Sequence, residues 1–241
     1  MKNTTLFICS LFLVLAISCK KEVTEKPKVS YDSSKEKAEI KVDTTQIAVA
    51  DLPINFEGSN YLIHPIGDII NYDIASKYDS GSSRTDYQQN FKVSNYNDYQ
   101  ITGYLKDLKF QEIGSDSITA LATKPLMIES ATYLKSVSDK SGQKIIVYVL
   151  SDTDSNKDLK VDQDDLKALY ISTISGLKFT KLTSDFEELL DWSLIESKNL
   201  LYFRTVEDTN KNGKFDKKDA IHYYFANLNS KNWKVQNYKP I

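Results

Sequence analysis

Apolar and polar positions along this chain fall into short alternating runs, and helical spacing is scarce. Runs rich in Tyr, Ile, Val, Leu and Phe recur at 61–63, 99–105, 108–113, 118–121, 145–150, 169–174, 179–182, 200–205, 223–228 and 233–235. Each is bounded by Gly, Asn, Asp, Ser or Lys, as strands separated by turns require. Only 184–190 (SDFEELL) reads as a helix, with Ser184 as its N-cap and Glu187 three residues on closing a capping box. The pattern predicts an all-β fold of antiparallel meanders.

The chain also repeats itself. The acidic stretches DSNKDLKVDQDD at 154–165 and DTNKNGKFDKKD at 208–219 begin 54 residues apart, and the likeness extends to both sides. Upstream, IIVYVL from Ile145 aligns with LLYFRT from Leu200; downstream, ALYISTISGLKFTKL from Ala168 aligns with HYYFANLNSKNWKVQ from His222. The unit is strand, loop, strand, tight turn, strand. A third, loop-less copy is read at LKFQEIGSDSITALAT from Leu108, followed by MIESATYL. Repeats of about fifty residues made of antiparallel strands indicate propeller blades or stacked sheets. Four small blades are expected, with an open sheet or sandwich of the same hairpins as the alternative.

Both acidic stretches place oxygen-bearing side chains at loop positions 1, 3, 5, 9 and 12, the order in which one loop wraps a hard cation that takes six to eight oxygens. In the first these are Asp154, Asn156, Asp158, Asp162 and Asp165, with the Lys160 carbonyl at position 7 and Val161 at position 8 as a core contact. In the second they are Asp208, Asn210, Asn212, Asp216 and Asp219, with the Lys214 carbonyl at position 7 and Phe215 facing the core. Position 6, where the backbone turns sharply, is Gly213 in the second loop but Leu159 in the first. A frame starting at Asp152 would put Gln163 at position 12, so Asp154 is preferred. Neither loop offers His or Cys, which points to Ca²⁺ and away from a transition metal. Asp at position 12 is one methylene shorter than the usual Glu, so affinity should be modest.

The stretch DSNKDLKVDQDDLKALYISTISGLKFTKLT at 154–183 resembles the calcium-loop repeats of TolB-like and WD-repeat-like β-propeller proteins of the bacterial envelope. The loop by itself is similar to the dockerin and EF-hand-like class. The resemblance covers the chain from about Leu108 onward, and implies a β-propeller-like domain in which calcium pins hairpin tips.

The N-terminus bears on location. Lys2 precedes an apolar run at 6–17, too short to cross a bilayer but suited to a secretory signal, and LAISC ends in small residues before Cys19. This resembles the lipobox of bacterial lipoproteins, which implies a signal peptide at 1–18, acylation of Cys19, an anchor in the outer membrane and possible display on the cell surface. The only other cysteine, Cys9, lies in the signal, so no thiol remains for a disulfide, a zinc site or a nucleophile. Residues 19–50 are charged and poor in large apolar groups and read as a disordered tether reaching roughly 30 Å. Residues 51–241 are left for one all-β repeat domain. With 31 basic against 33 acidic residues and no basic patch, nucleic acid is not an expected partner.

Catalytic patterns are thin. His64 and His222 read as strand residues, and no nucleophile elbow, P-loop or zinc-binding helix motif is present. The expectation is a non-enzymatic binding or scaffold module, held to the membrane by lipid and docking another envelope protein or a glycan. An envelope hydrolase acting on polysaccharide through a carboxylate pair, such as Glu187 with Glu188 or Asp185 with Asp191, is the alternative.

Overall fold

A computed structural model describes residues 27–31, 46–70, 92–230 and 232–241. The signal peptide expected at 1–18 and the expected acylation site Cys19 fall outside the described residues. The elements in chain order are β1 (Gln46–Ala50), β2 (Tyr61–Ile70), β3 (Ser94–Asn97), β4 (Gln100–Glu112), β5 (Ile118–Ala120), β6 (Met127–Tyr133), α1 (Lys135–Ser141), β7 (Ile145–Ser151), β8 (Ala168–Thr173), β9 (Thr180–Lys181), β10 (Glu187–Ile195), β11 (Leu200–Glu207), β12 (Ala220–Asn227) and β13 (Val235–Asn237). The fold is mostly antiparallel β, in two sheets with no closed barrel. The first sheet has nine strands in the order β1-β2-β4-β6-β7-β8-β9, with β3 and β5 paired onto β4. The second has four, β10 to β13, in chain order.

Strand β4 is the spine of the large sheet. Its first half lies between β3 and β6 and its second half between β2 and β5. The two apolar runs expected at 99–105 and 108–113 are therefore one strand, broken in pattern by irregular register next to Leu105. The sheet curls: a Cβ on Gly176, in the turn after β8, would come within 2.6 Å of the Phe110 ring on β4. Two strands intervene, so a flat sheet, with strands about 4.8 Å apart, would hold these residues well separated.

Strands β7 and β8 are buried on both faces. Ile146, Tyr148, Leu150, Ala168 and Tyr170 join the core of the large sheet with Ile63, Leu105, Phe110, Ile128 and Tyr133. Their neighbours Ile145, Val147, Leu169 and Ile171 face the other way, into a second core with Leu189, Leu201, Phe203, Tyr224 and Trp233 of the small sheet and its turns. A strand covered on both sides has no polar face, which is why IIVYVL and ALYIS read as near-continuous apolar runs. Tyr148, fully buried, satisfies its hydroxyl with Ser172 at 2.7 Å.

Several expectations are corrected. Residues 184–190 do not form a helix: Phe186 takes a left-handed turn (φ 63) and Glu187–Ile195 is strand β10. Leu190 is an extra residue in the pairing with β11, so Leu189 and Trp192 reach the same core three positions apart. That bulge imitated helical spacing. The one described α-helix, α1, was not foreseen, because its lone buried side chain, Val137, gives no periodicity. Gly142 (φ 72) ends it with a left-handed cap. Two pieces of the expected tether belong to the fold. Gln46–Ala50 pairs with β2, and residues 27–31 lie against the domain with Val29 buried.

Truncating a side chain in the shared layer should weaken both sheets together. Ile171→Ala, fully buried in the second core, is expected to cost about 2–5 kcal/mol. Urea unfolding followed by both tryptophan fluorescence and far-UV circular dichroism should keep one coincident transition. Two separated transitions would show that the sheets are independent.

Candidate metal centre

Loop 154–165 joins β7 to β8 and loop 208–219 joins β11 to β12, so both acidic stretches close β-hairpins. The two loops are built alike, position by position. At position 1 a carboxylate accepts the N–H groups of positions 5 and 6. Asp154 takes Asp158 at 3.0 Å and Leu159 at 2.8 Å; Asp208 takes Asn212 at 3.1 Å and Gly213 at 2.7 Å. At position 3 the side-chain oxygen also accepts the position-5 N–H, with Asn156 at 2.9 Å from Asp158 and Asn210 at 3.0 Å from Asn212. Position 5 accepts from position 7: Asp158 from Lys160 at 3.1 Å and Asn212 from Lys214 at 2.8 Å.

The second half of each loop matches as well. Asp162 accepts from Asp164 at 2.9 Å and Asp216 from Lys218 at 2.8 Å. The position-12 carboxylate then spans the loop. Asp165 takes the N–H groups of Ser155 and Asp162, at 2.7 and 2.9 Å, and Asp219 those of Thr209 and Asp216, at 3.1 and 2.6 Å. Every N–H named here points at a side-chain oxygen of its own loop, as Asx-turns do.

The backbone repeats the same twists. Positions 4 and 6 are left-handed in both loops, at Lys157 (φ 59) and Leu159 (φ 74) and at Lys211 (φ 56) and Gly213 (φ 79). A left-handed leucine costs about 1–2 kcal/mol, which glycine avoids. Leu159 therefore takes the conformation that the sequence made unfavourable.

Two of the carboxylates are buried, Asp165 fully and Asp208 nearly so. Burial pushes the Asp165 carboxyl above its ordinary value, against the pull of the N–H groups of Asp162, Asn156 and Ser155. Asp152 lies just outside the first loop and has other duties: it accepts from Tyr170 at 2.8 Å and pairs with Lys124 at 3.0 Å and Lys181 at 3.3 Å. Burial raises its carboxyl, but Tyr170 and the two ammonium groups outweigh this and hold it below its ordinary value. These partners suit a frame that starts at Asp154.

Val161 and Phe215, expected as core contacts, are half-buried and belong to neither core. Among the described residues, no three His, Cys, Asp or Glu side chains gather as a metal cluster. The loop oxygens face N–H groups, and a cation would have to draw on asparagine and backbone carbonyl oxygens as well.

Sequence reasoning missed the partner that the two loops share. Residues 27–31 (PKVSY) cross both: Lys28 N–H donates to the Gly213 carbonyl at 3.1 Å and Ser30 N–H to the Ser155 carbonyl at 2.8 Å. The Ser155 hydroxyl returns a bond to the Lys28 carbonyl at 2.7 Å, and the Lys28 ammonium meets Glu188 at 2.6 Å. Burial first, and then the charge of Asp208 and a hydrogen bond to it, push the Tyr31 phenol up to about 12. The only available signal was Val29 and Tyr31 within an otherwise polar run.

The candidate carboxylate pairs are not brought together. Glu187 and Glu188 are neighbours on one strand and point to opposite faces. Glu187 accepts from Thr205 and Tyr224, whereas Glu188 binds Lys28 and the Lys167 N–H. Asp185 pairs with Lys181, and Asp191 with Arg204. His64 contacts Gln111 at 3.1 Å and His222 contacts Glu207 at 2.9 Å. Comparison with protein-family models, curated proteins and solved structures gives no match to this chain.

Asp152→Asn should lower stability by about 1.5–3 kcal/mol near neutral pH, the range for hydrogen bonds to a charged group. Because the folded carboxyl lies below its ordinary value of 3.8, its contribution is complete above that pH. It is lost as pH falls through the lower, folded value. The gap between wild type and variant should therefore hold steady from about pH 7 to 5 and close in acid. A gap that widens in acid would contradict this sign.

Proposed function

We propose that this chain is a lipid-anchored protein of the bacterial cell envelope, in which loops 154–165 and 208–219 bind Ca²⁺ for structural ends, and that it acts as a non-enzymatic binding or scaffold module. The observation that carries the calcium reading is the shared framework of the two loops. Position 1, 3, 5, 9 and 12 oxygens fill the same roles in each, around the same left-handed positions 4 and 6. Hairpin tips that only reverse a chain need two to five residues, so two loops of twelve with one internal plan ask for a further reason. An ion would neutralise the buried Asp165 and Asp208 and fix a protease-prone tip. Modest affinity suffices outside the cytoplasm, where millimolar binding is common for such modules.

The lipobox-like LAISC that ends at Cys19 supports the anchor. The propeller-like reading rests on the meander β10–β13, a four-stranded unit of blade type; the nine-stranded sheet has no such form. The outer face of that meander supports the binding reading. Tyr202, Tyr223, Phe225 and Tyr238 touch one another there, with ring centroids 5.2–6.3 Å apart, and are only partly covered. Beside them lies the exposed Arg204–Asp191 pair. Partly exposed tyrosine and arginine are enriched where proteins meet partners.

Calcium added to chelator-treated protein should raise the melting temperature. At about a hundred times Kd the gain is about 2.7 kcal/mol per site, or about 5–10 °C for a domain of this size. Asp208→Ala should remove most of the shift contributed by its loop, whatever its effect on the calcium-free protein. An identical melting curve with and without calcium would refute the ion assignment.

A further inference from the structure

The docked segment 27–31 begins only eight residues after Cys19. Eight residues span at most about 29 Å whatever their conformation, because a fully extended chain advances no more than about 3.6 Å per residue. Without that docking, the first fixed point of the chain would be Gln46 at the start of β1, 27 residues from Cys19 and up to about 97 Å away. The segment thus takes up more than two-thirds of the available leash.

Its seat is formed from both loops. Val29 is 2% exposed, and Gly213 leaves the space it needs, since a Cβ there would come within 2.7 Å of the Val29 carbonyl and 2.9 Å of Pro27. Ser155 holds it from the other side with both its carbonyl and its hydroxyl. Tyr31 continues onto Phe186, with ring centroids 6.3 Å apart, and lies under the Lys211 ammonium at 5.9 Å. The docked strap therefore fixes which end of the domain is nearest the N-terminus: the end that carries both loops.

We propose that this strap orients the protein on the bilayer, with the two acidic loops turned toward the lipid headgroups and the opposite turns, around 142–144, 196–199 and 227–230, turned away. The partner of the loop end is a phosphate-bearing lipid surface. Net charge does not draw this end there before a cation binds: the second loop has four lysines against three aspartates, one positive charge in excess, whereas the first has two lysines against five aspartates, three negative, and the two together carry −2. The short leash from Cys19 to Pro27 is what holds the loop end at the headgroups, and it does so against a weak repulsion that is screened beyond a Debye length, about 8–10 Å at moderate salt. The aromatic face of β10–β13 then stands at the side of the molecule, open to a partner.

The inference rests on the lipid-anchor reading, and one experiment separates the two. Full-length lipidated protein is reconstituted into vesicles of phosphatidylethanolamine and phosphatidylglycerol carrying a headgroup acceptor dye. Single donors are placed through Lys217→Cys at the loop end or Ser197→Cys at the far end; the acylated Cys19 does not compete for label. Strands β11 and β12 are eight residues each, about 27 Å, so energy transfer from position 217 should exceed that from position 197 about twofold. Val29→Asp should abolish the difference. So should about twenty Gly and Ser residues inserted after Lys21, which lengthen the leash without touching the folded part. Equal transfer from both positions in floating, unaltered protein would overturn the orientation alone. Protein that fails to float, or that floats equally well as Cys19→Ser, would overturn the anchor and the orientation with it.

Discussion

The structure depends on one pair of strands, β7 and β8, whose side chains are buried on both faces. Ile146, Tyr148 and Tyr170 close the core of the curled nine-stranded sheet, while Val147, Leu169 and Ile171 on the reverse face support the four-stranded sheet. Both cores draw on this shared layer. Without it the small sheet would expose Leu201, Phe203, Tyr224 and Trp233, and the large one would lose the side chains that line its inner curve. Burial of apolar surface is worth roughly 25 cal/mol per Å², so side chains that serve two cores from one pair of strands couple the two sheets. The same pair also holds the first acidic loop, which is the direct continuation of β7 into β8.

The two loops then inherit their positions from hairpins. Each must reverse a strand pair across twelve residues without a core of its own, and it does so by turning its backbone N–H groups inward onto Asp and Asn oxygens. Unpaired N–H groups would otherwise lack partners wherever the loop is shielded from water, as it is at Asp165 and Asp208. The arrangement leaves Asp165 and Asp208 buried, and burial pushes the Asp165 carboxyl upward. Residues 27–31 add a second restraint, since one short segment bonds to Gly213 of one loop and Ser155 of the other and so ties the tips of the two sheets together.

Much of the architecture was legible in the sequence because strand burial writes itself as pattern. Runs at 145–150, 169–174, 200–205 and 223–228 became β7, β8, β11 and β12 within a residue or three at each end. The expected order of strand, loop, strand, turn and strand is the order in which β7 to β9 and β11 to β13 follow one another. Local exceptions to the two-residue period were not legible. The bulge at Leu190 made β10 look helical, and the irregular register beside Leu105 made β4 look like two strands. Helix α1 carries too few apolar positions to announce itself, and β1, though four of its five residues are apolar (QIAVA), is short and directly follows the charged run with which it was grouped.

The likeness of the two loops was legible for a different reason: Asp and Asn recur in them at fixed spacing. What spacing cannot convey is contact across the chain, so the seat of Val29 between the loops, the pairing of Glu188 with Lys28 and the hold of Lys124 and Lys181 on Asp152 emerged only in three dimensions. The assignment of the loops meets its most direct test in a crystal of the protein grown in calcium and measured for anomalous scattering. Two peaks are predicted, one within each loop, each about 2.3–2.6 Å from oxygens of positions 1, 3, 5, 7 and 12. Loops that hold only water under those conditions, with their N–H groups still bound to the same carboxylates, would contradict it.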